Sequence, residues 1–436
     1  MAVSAPALHE ALADVVGPEH VLADGRQLEA AAVDGVVPRW VVRAKTETDV
    51  SRLLALATSE RLAVAPRGSG SSQWLGNPPR RLDLVLDLSR LDAVTEHVAE
   101  DMVASVEAGM TLGALGERLS PARQRLALDP YGGEARTIGG VLASNASGPL
   151  RFRYGTGRDV LLGIRFVLAD GTITWGGAKV VKSVTGYDVP KLLVGSLGTL
   201  GVIVGVTLRL HPLPPSSASW LCAFGASPAA QDFLTALLAS PLEPERVSVL
   251  NARAGLACGV PSTGPAVLVS IASDEEAVRA QGEALAEHVR RAGGRVEPLG
   301  AAAWMRLPTP LDAPVVLKLA GEPRRIIAWL DRAESLARGA AVEIAAVGQA
   351  GNGVLHLALH GGTPGARLGD ALVHPLREEL AGEGGSVVVE RAPAAVKAHV
   401  DAWGPIEPDA LAIMGRLKRE FDPEGVLNPG RFVGGL

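Results

Sequence analysis

PRGSGSS at residues 66–72, RTIGGVLASNASGP at 136–149 and GSLGTLGVI at 195–203 are three glycine- and serine-rich stretches in a chain of 436 residues. Glycine lets a backbone bend and approach a ligand closely, and successive N–H groups beside serine hydroxyls can cradle a pyrophosphate. The first stretch directly follows the apolar LAVAP of 62–66, which reads as a buried strand. Its spacing is not G-x-G-x-x-G and no clear amphipathic helix follows, so a Rossmann-type nicotinamide site is disfavoured. In the second stretch, small residues at almost every position let the chain lie flat against a large planar ligand. Each stretch alone reads equally as a tight turn; three in this order read as one binding surface.

Outward from this surface, RWVVRA predicts a strand, and Thr46 with Asp49 resembles a capping box opening a helix with Val50, Leu53, Leu54 and Ala57 on one face. Strand, helix, strand and glycine loop therefore follow one another, as in an α/β nucleotide-binding unit. Short β-rich segments such as MVASVEAG and GVIVGVTLRL continue to about Leu210, and the prolines of HPLPP at 211–215 then mark a domain boundary. The uncharged run from Leu192 to Leu208 is short of the roughly 20 residues of a spanning helix and is interrupted by glycines, so it predicts a turn and a buried strand. Beyond the boundary, strands WLCAF, RVSVLN, AVLVSIA, PVVLKLA, VEIAAVG and VLHLALH alternate with three helical segments, which predicts a split β-α-β layer of helices on an antiparallel sheet. The fold class is α+β in two domains, and no internal repeat stands out.

Hydrophobic residues make up 47% and charged residues 20%, so neither a disordered nor a fibrous class applies. Lys and Arg number 42 against 47 Asp and Glu with no long run of one sign, which excludes a polyanion-binding surface and nucleic acid. Cys222 and Cys258, in no C-x-x-C pattern, support neither an iron–sulfur cluster nor a disulfide framework and fit a reducing compartment. The start, MAVSAPALHEALADVV, does not read as a secretory signal. A cytoplasmic protein is expected, with membrane contact at most through partners.

PRGSGSS, VEAGMTL, TIGGVLASNASGP, TGYDVPKLLVGSLGTLGVI and the tail KREFDPEGVLNPGRF together resemble the vanillyl-alcohol oxidase and p-cresol methylhydroxylase flavoprotein family, over about 36–215 and again from about 385 to the end. The tail is most similar to the E-subunit branch of bacterial glycolate oxidases. The resemblance implies an FAD-binding domain at 1–214, a ferredoxin-like α+β cap at 215–384, and a segment at 385–436 that returns to the FAD domain. It also implies that Pro66, Arg67, Gly68, Ser69, Gly70, Ser71 and Ser72 hold the pyrophosphate. Ile138, Gly139, Gly140, Ser144, Asn145, Ser147 and Gly148 would line the flavin, with Tyr154 just beyond; Gly201, Val202 and Ile203 would touch it by backbone and Asn428 from the tail. Some members tether FAD through a histidine near the first glycine loop; none lies between His20 and His97, so a non-covalent FAD is expected.

Catalytic relatives carry a His-x-Gly-Asp-Gly-Asn-x-His motif and a later Glu-His-Gly. This chain has Gln349 in place of the first histidine, ending the motif at His356, and Arg391 after Glu390 in the second. His356, Glu390 and Arg391 are thus candidates by position, each with a structural alternative as a strand histidine or an ion pair. His356 and His360 do not make a metal pair, because VLHLALH alternates with period two and a strand sets them roughly 13 Å apart; no metal is expected. Lys182 and Tyr187 belong to the flavin motif. Oxidation of a 2-hydroxy acid to a 2-oxo acid is the implied reaction, with a catalytic flavin subunit and an iron–sulfur subunit as implied partners and this chain's flavin structural or electron-relaying. A self-sufficient dehydrogenase and a non-enzymatic scaffold are the competing readings.

Overall fold

The computed structural model describes residues 4–177, 187–361 and 368–436; Lys182 and the rest of KSVTG lie outside the described residues. Strands β1 (Val21–Leu22), β2 (Trp40–Arg43), β3 (Val64–Arg67) and β4 (Leu84–Asp87) form a sheet ordered β1-β2-β4-β3, with β4 parallel to both β2 and β3. The helix Glu47–Ser59 makes the crossover from β2 to β3. Thr46 opens it as the sequence predicts: its Oγ1 accepts from the Asp49 N–H at 3.1 Å, while Asp49 Oδ2 accepts from the Thr46 N–H at 3.0 Å. Val50, Leu53, Leu54 and Ala57 form the buried stripe that packs the helix onto the sheet.

Strands β5 (Val94–Val98), β6 (Val103–Glu107), β7 (Gln124–Arg125), β8 (Leu161–Val167), β9 (Ile173–Gly177), β10 (Val202–Arg209) and β11 (His211–Pro212) follow. Five of them make an antiparallel sheet ordered β5-β6-β10-β8-β9, and β11 pairs with β7. The uncharged run at 192–208 ends in β10, a buried central strand, and no helix among the described residues is long and apolar enough to cross a membrane.

Immediately after the prolines comes one eight-stranded antiparallel sheet, built from β12 (Ser216–Ala223), β13 (Pro244–Leu250), β14 (Ala266–Ser273), β15 (Arg295–Pro298), β16 (Val315–Ala320), β17 (Glu343–Gln349), β18 (Val354–His360) and β19 (Ser386–Arg391). Its order is β15-β12-β14-β13-β17-β18-β16-β19. Read from the β13–β17 junction outward, the two halves have the same topology: second, third, first and fourth strand of each unit. Helices Ser227–Leu238 and Glu275–Arg291 connect the strands of one half, Ile326–Gly339 and His374–Ala381 those of the other. The cap is therefore two ferredoxin-like units fused edge to edge. This repeat is one of topology and not of residues, which is why the sequence does not display it. Because β19 is the edge strand of this sheet, residues 386–391 belong to the cap, and the return to the first domain begins later than the boundary expected at 385.

That return is held by buried charges. Lys397, with a fully buried side chain, donates to Asp34 at 2.9 Å and to the carbonyl of Gly76 at 2.9 Å. After helix Pro408–Phe421, the Val64 N–H donates to the carbonyl of Val426 at 2.7 Å and the Asn428 N–H to the carbonyl of Val64 at 2.8 Å, which lays the tail along the free edge of β3. Lys418 spends its three N–H donors on Thr199 O (2.8 Å), Leu427 O (2.8 Å) and Asp422 Oδ2 (2.6 Å). Asp422 in turn accepts from the N–H groups of Val426 and Leu427 at 3.0 and 2.8 Å. Removing one member of such a satisfied buried pair strands the other charge. Asp422→Ala is therefore expected to lower unfolding free energy by about 3–5 kcal/mol, read as a lower urea midpoint.

Candidate active site

A groove runs between the end of β3, the helix Ile138–Ser144, the 197–203 turn and the tail. Its glycines are required by close approach. A methyl at Gly68 would lie 2.1 Å from Thr137 Oγ1, and one at Gly139 would lie 2.8 Å from Ala108 Cβ. Gly70 adopts φ +77°, the left-handed region, as its backbone turns past the Arg67 guanidinium.

All seven residues from Pro66 to Ser72 line the groove, as do Gly139, Gly140, Ser144, Gly201, Val202, Ile203 and Asn428. Asn428 donates to the carbonyl of Leu197 at 2.6 Å, fixing the turn opposite the loop. Sequence reasoning missed Arg431, which is 3% exposed, donates to Gln73 Oε1 at 3.0 Å and to Leu75 O at 2.7 Å, and reaches the same groove. Burial lowers its guanidinium to about 10, an effect that Asp34 partly offsets. Its place in NPGRF, three residues after Asn428, was the available signal. Nε of Arg67 and Nε of Arg431 are buried without a protein acceptor.

Three expected lining residues stand elsewhere. Ile138 is buried in the core beneath the antiparallel sheet. Gly148 crosses the Asp129 backbone, where an added Cβ would sit 1.8 Å from the carbonyl oxygen. Tyr154 serves the domain interface: its hydroxyl accepts from Arg125 at 2.8 Å, its ring meets His211 at 4.7 Å, and Arg125 also pairs with Glu245 of the cap at 2.8 Å. Tyr187, of the flavin motif, is 97% exposed.

Next to the groove, sharing Ser71, Ser72 and Ser144 with it, lies a chamber closed by the cap. Asn145 and Ser147 line this chamber rather than the groove, together with His356, Glu390 and Arg391. His356 and Glu390 come from β18 and β19, which flank β16, and His356 Nδ1 lies 2.9 Å from Glu390 Oε2. Burial would raise the Glu390 carboxyl, but the positive charges of His356, Lys318 and Arg136 outweigh it and hold the group at about 2. Lys318 stands opposite His356 in the sheet register. Tyr131 meets the His356 ring edge-on at 5.1 Å, and its buried hydroxyl is held far above the usual phenol range by burial and by Asp129. Arg391 stacks over Trp74 at 4.7 Å from the ring centre. Lys318, Arg136, Tyr131 and Trp74 were not anticipated as chamber residues, since they come from three segments far apart in sequence, the 74 and 131–136 loops and the cap strand that carries Lys318.

Residues 38–177 match the family described as FAD binding domain, and residues 213–432 match FAD linked oxidases, C-terminal domain. The chain belongs to the FAD-linked oxidases. Glycolate oxidase subunit GlcD of Bacillus subtilis is 27% identical over 421 residues, covering 91% of this chain and 89% of that protein. D-lactate dehydrogenase of Archaeoglobus fulgidus is 28% identical over 90% of this chain and 91% of its own, and mitochondrial D-2-hydroxyglutarate dehydrogenase of Bos taurus is 28% identical over 96% and 82%. The likeness to glycolate oxidase thus runs through its D subunit across nearly the whole chain. The solved structure of p-cresol methylhydroxylase with substrate bound superposes with a TM-score of 0.76 at 16% identity, over 98% of this chain and 96% of that one, which establishes the shared fold.

The groove of this FAD-linked oxidase suits FAD on its own chemistry. The 66–72 loop offers backbone N–H groups and serine hydroxyls, and two buried guanidinium nitrogens lack acceptors that phosphate or flavin oxygens can supply. The Gly68→Ala variant is expected to fold yet lose most bound FAD, measured as the flavin-to-protein absorbance ratio, because its methyl cannot fit beside Thr137. Glu390, depressed in the folded state, contributes stability that is present above its ordinary value near 4.5 and lost as pH falls toward about 2. The urea-midpoint gap between wild type and Glu390→Gln is therefore expected to shrink between about pH 6 and pH 3.

Proposed function

We propose that this FAD-linked oxidase oxidises a small 2-hydroxy acid to the 2-oxo acid, with the acid held in the chamber beside the groove. The observation that carries the reading is the His356–Glu390 pair in a chamber that shares Ser71, Ser72 and Ser144 with the FAD groove. Bound FAD supplies the hydride acceptor. Glu390, ionised at neutral pH, accepts from Nδ1–H of His356 and so fixes the tautomer that leaves Nε2 with a lone pair. That nitrogen takes the hydroxyl proton, and the adjacent carboxylate stabilises the imidazolium that results. Lys318, Arg136 and Arg391 line the chamber and supply the positive potential that draws a carboxylate into it. The relatives named for glycolate, D-lactate and D-2-hydroxyglutarate support the substrate class.

A second reading concerns the setting. Gln349 and Arg391 stand where catalytic relatives carry histidines, and one relative is named as a subunit. These support a role beside a catalytic flavin subunit and an iron–sulfur subunit, on the cytoplasmic side, with this chain's flavin structural or relaying electrons.

Anaerobic addition of glycolate or D-lactate to the singly purified, FAD-loaded chain separates the two. Bleaching of the flavin absorbance on the timescale of turnover supports oxidation in this chain, and His356→Asn is then expected to slow it about 10²- to 10⁴-fold. Absence of bleaching that persists until partner subunits are added overturns the first reading in favour of the second.

A further inference from the structure

Arg136 is 6% exposed, yet it has no carboxylate partner within ion-pair distance among the described residues. Its Nη1 donates to the carbonyl of Tyr131 at 2.7 Å, its Nη2 to the hydroxyls of Ser72 and Ser144, and its buried Nε to nothing. The loop at Gly132 folds around it with φ +101°, and a side chain there would press on the guanidinium at 3.3 Å. Burial lowers this group and the distant charge of Glu390 only partly offsets that. A buried cation satisfied by neutral acceptors alone is costly unless an anion arrives with the ligand.

Of the chamber's three arginine and lysine side chains, Arg136 is the buried one, and its bonds to Ser72 and Ser144 place it at the boundary with the groove. Arg391 lies 3.8 Å from Asp312. Glu390 faces His356 directly and feels Lys318 and Arg136. The side-chain cations lining the chamber are Arg136, Lys318 and Arg391; Glu390 is its buried carboxylate, whereas the Asp312 side chain is 94% exposed and faces solvent. From this uncompensated guanidinium between groove and chamber we infer that Arg136 is the receptor for the acid's carboxylate, and that the chamber takes monocarboxylic 2-hydroxy acids in preference to dicarboxylic ones. The inference rests on the 2-hydroxy-acid reading above and narrows it: a second carboxylate would enter a chamber that already holds the buried carboxylate of Glu390.

The test uses the full, FAD-loaded chain and 2-hydroxy-2-methylpropanoate, a monocarboxylate with no α-hydrogen to lose, so binding is read by calorimetry without turnover. Arg136→Gln is expected to weaken binding about ten- to a hundredfold, and Arg136→Lys, which keeps the charge, by less. On the wild type, where folding is not in question, the uncharged amide of the same compound is expected not to bind, and 2-hydroxy-2-methylbutanedioate, a dicarboxylate that likewise lacks the α-hydrogen, to bind more weakly than the monocarboxylate. Equal affinity in Arg136→Gln, binding of the amide, or tighter binding of the dicarboxylate each overturns the assignment. A shift of the flavin potential in Arg136→Gln with unchanged affinity also overturns it and gives the charge to the cofactor instead. A wild type that binds the analogue but is never reduced by glycolate or D-lactate contradicts the oxidation reading and leaves the receptor role standing.

Discussion

The pairing of the tail with the free edge of β3 is the constraint on which the site depends. The glycine loop at 66–72 leaves β3, and the tail residues that face it across the groove, Asn428 and Arg431, are held there by two backbone hydrogen bonds to Val64 and by the Lys418–Asp422 pair. Lys418 reaches three structures at once: its own helix through Asp422, the tail through Leu427, and the 195–201 turn through Thr199. One buried ammonium therefore sets the spacing between the two walls of the groove. Because its donors and the acceptors of Asp422 are filled, the pair serves register more than net stability.

The cap contributes chemistry through a similar economy of charge. A single carboxylate, Glu390, faces His356, Lys318 and Arg136, and it reaches them only because β16, β18 and β19 are neighbours in the second ferredoxin-like unit. The first unit instead supplies the docking surface: Glu243, Glu245 and Arg246 pair with Arg153, Arg125 and Asp129 of the FAD domain. The two topologically equivalent halves have thus divided their roles, one fastening the cap and one furnishing the chamber.

Local signals made the FAD half legible. The capping box at Thr46, the strand ahead of PRGSGSS and the strand after GSLGTLG are decided within a few residues of chain, and the structure shows them as read. The glycine motifs located the groove, but motif membership does not distinguish a glycine that meets ligand from one that lets backbone cross, as Gly148 does over Asp129. Tyr154, adjacent in sequence to the motif, was drawn to the interface by Arg125. The chamber was less legible because its members lie far apart in sequence. His356 and Glu390 were found by position alone, whereas Lys318 and Arg136 acquire meaning only from strand order and burial. Strand β19 was missed as part of the cap because six residues at a sheet edge carry little periodicity.

The central claim is that this chain holds its own FAD, without a covalent bond, in the groove between β3 and the tail. Acid precipitation of the singly purified protein, followed by flavin absorbance of pellet and supernatant, tests it most directly. About one FAD per chain, released entirely into the supernatant, is the expected result. Flavin that stays with the pellet contradicts the non-covalent site, and a chain that neither carries nor takes up FAD contradicts the claim itself.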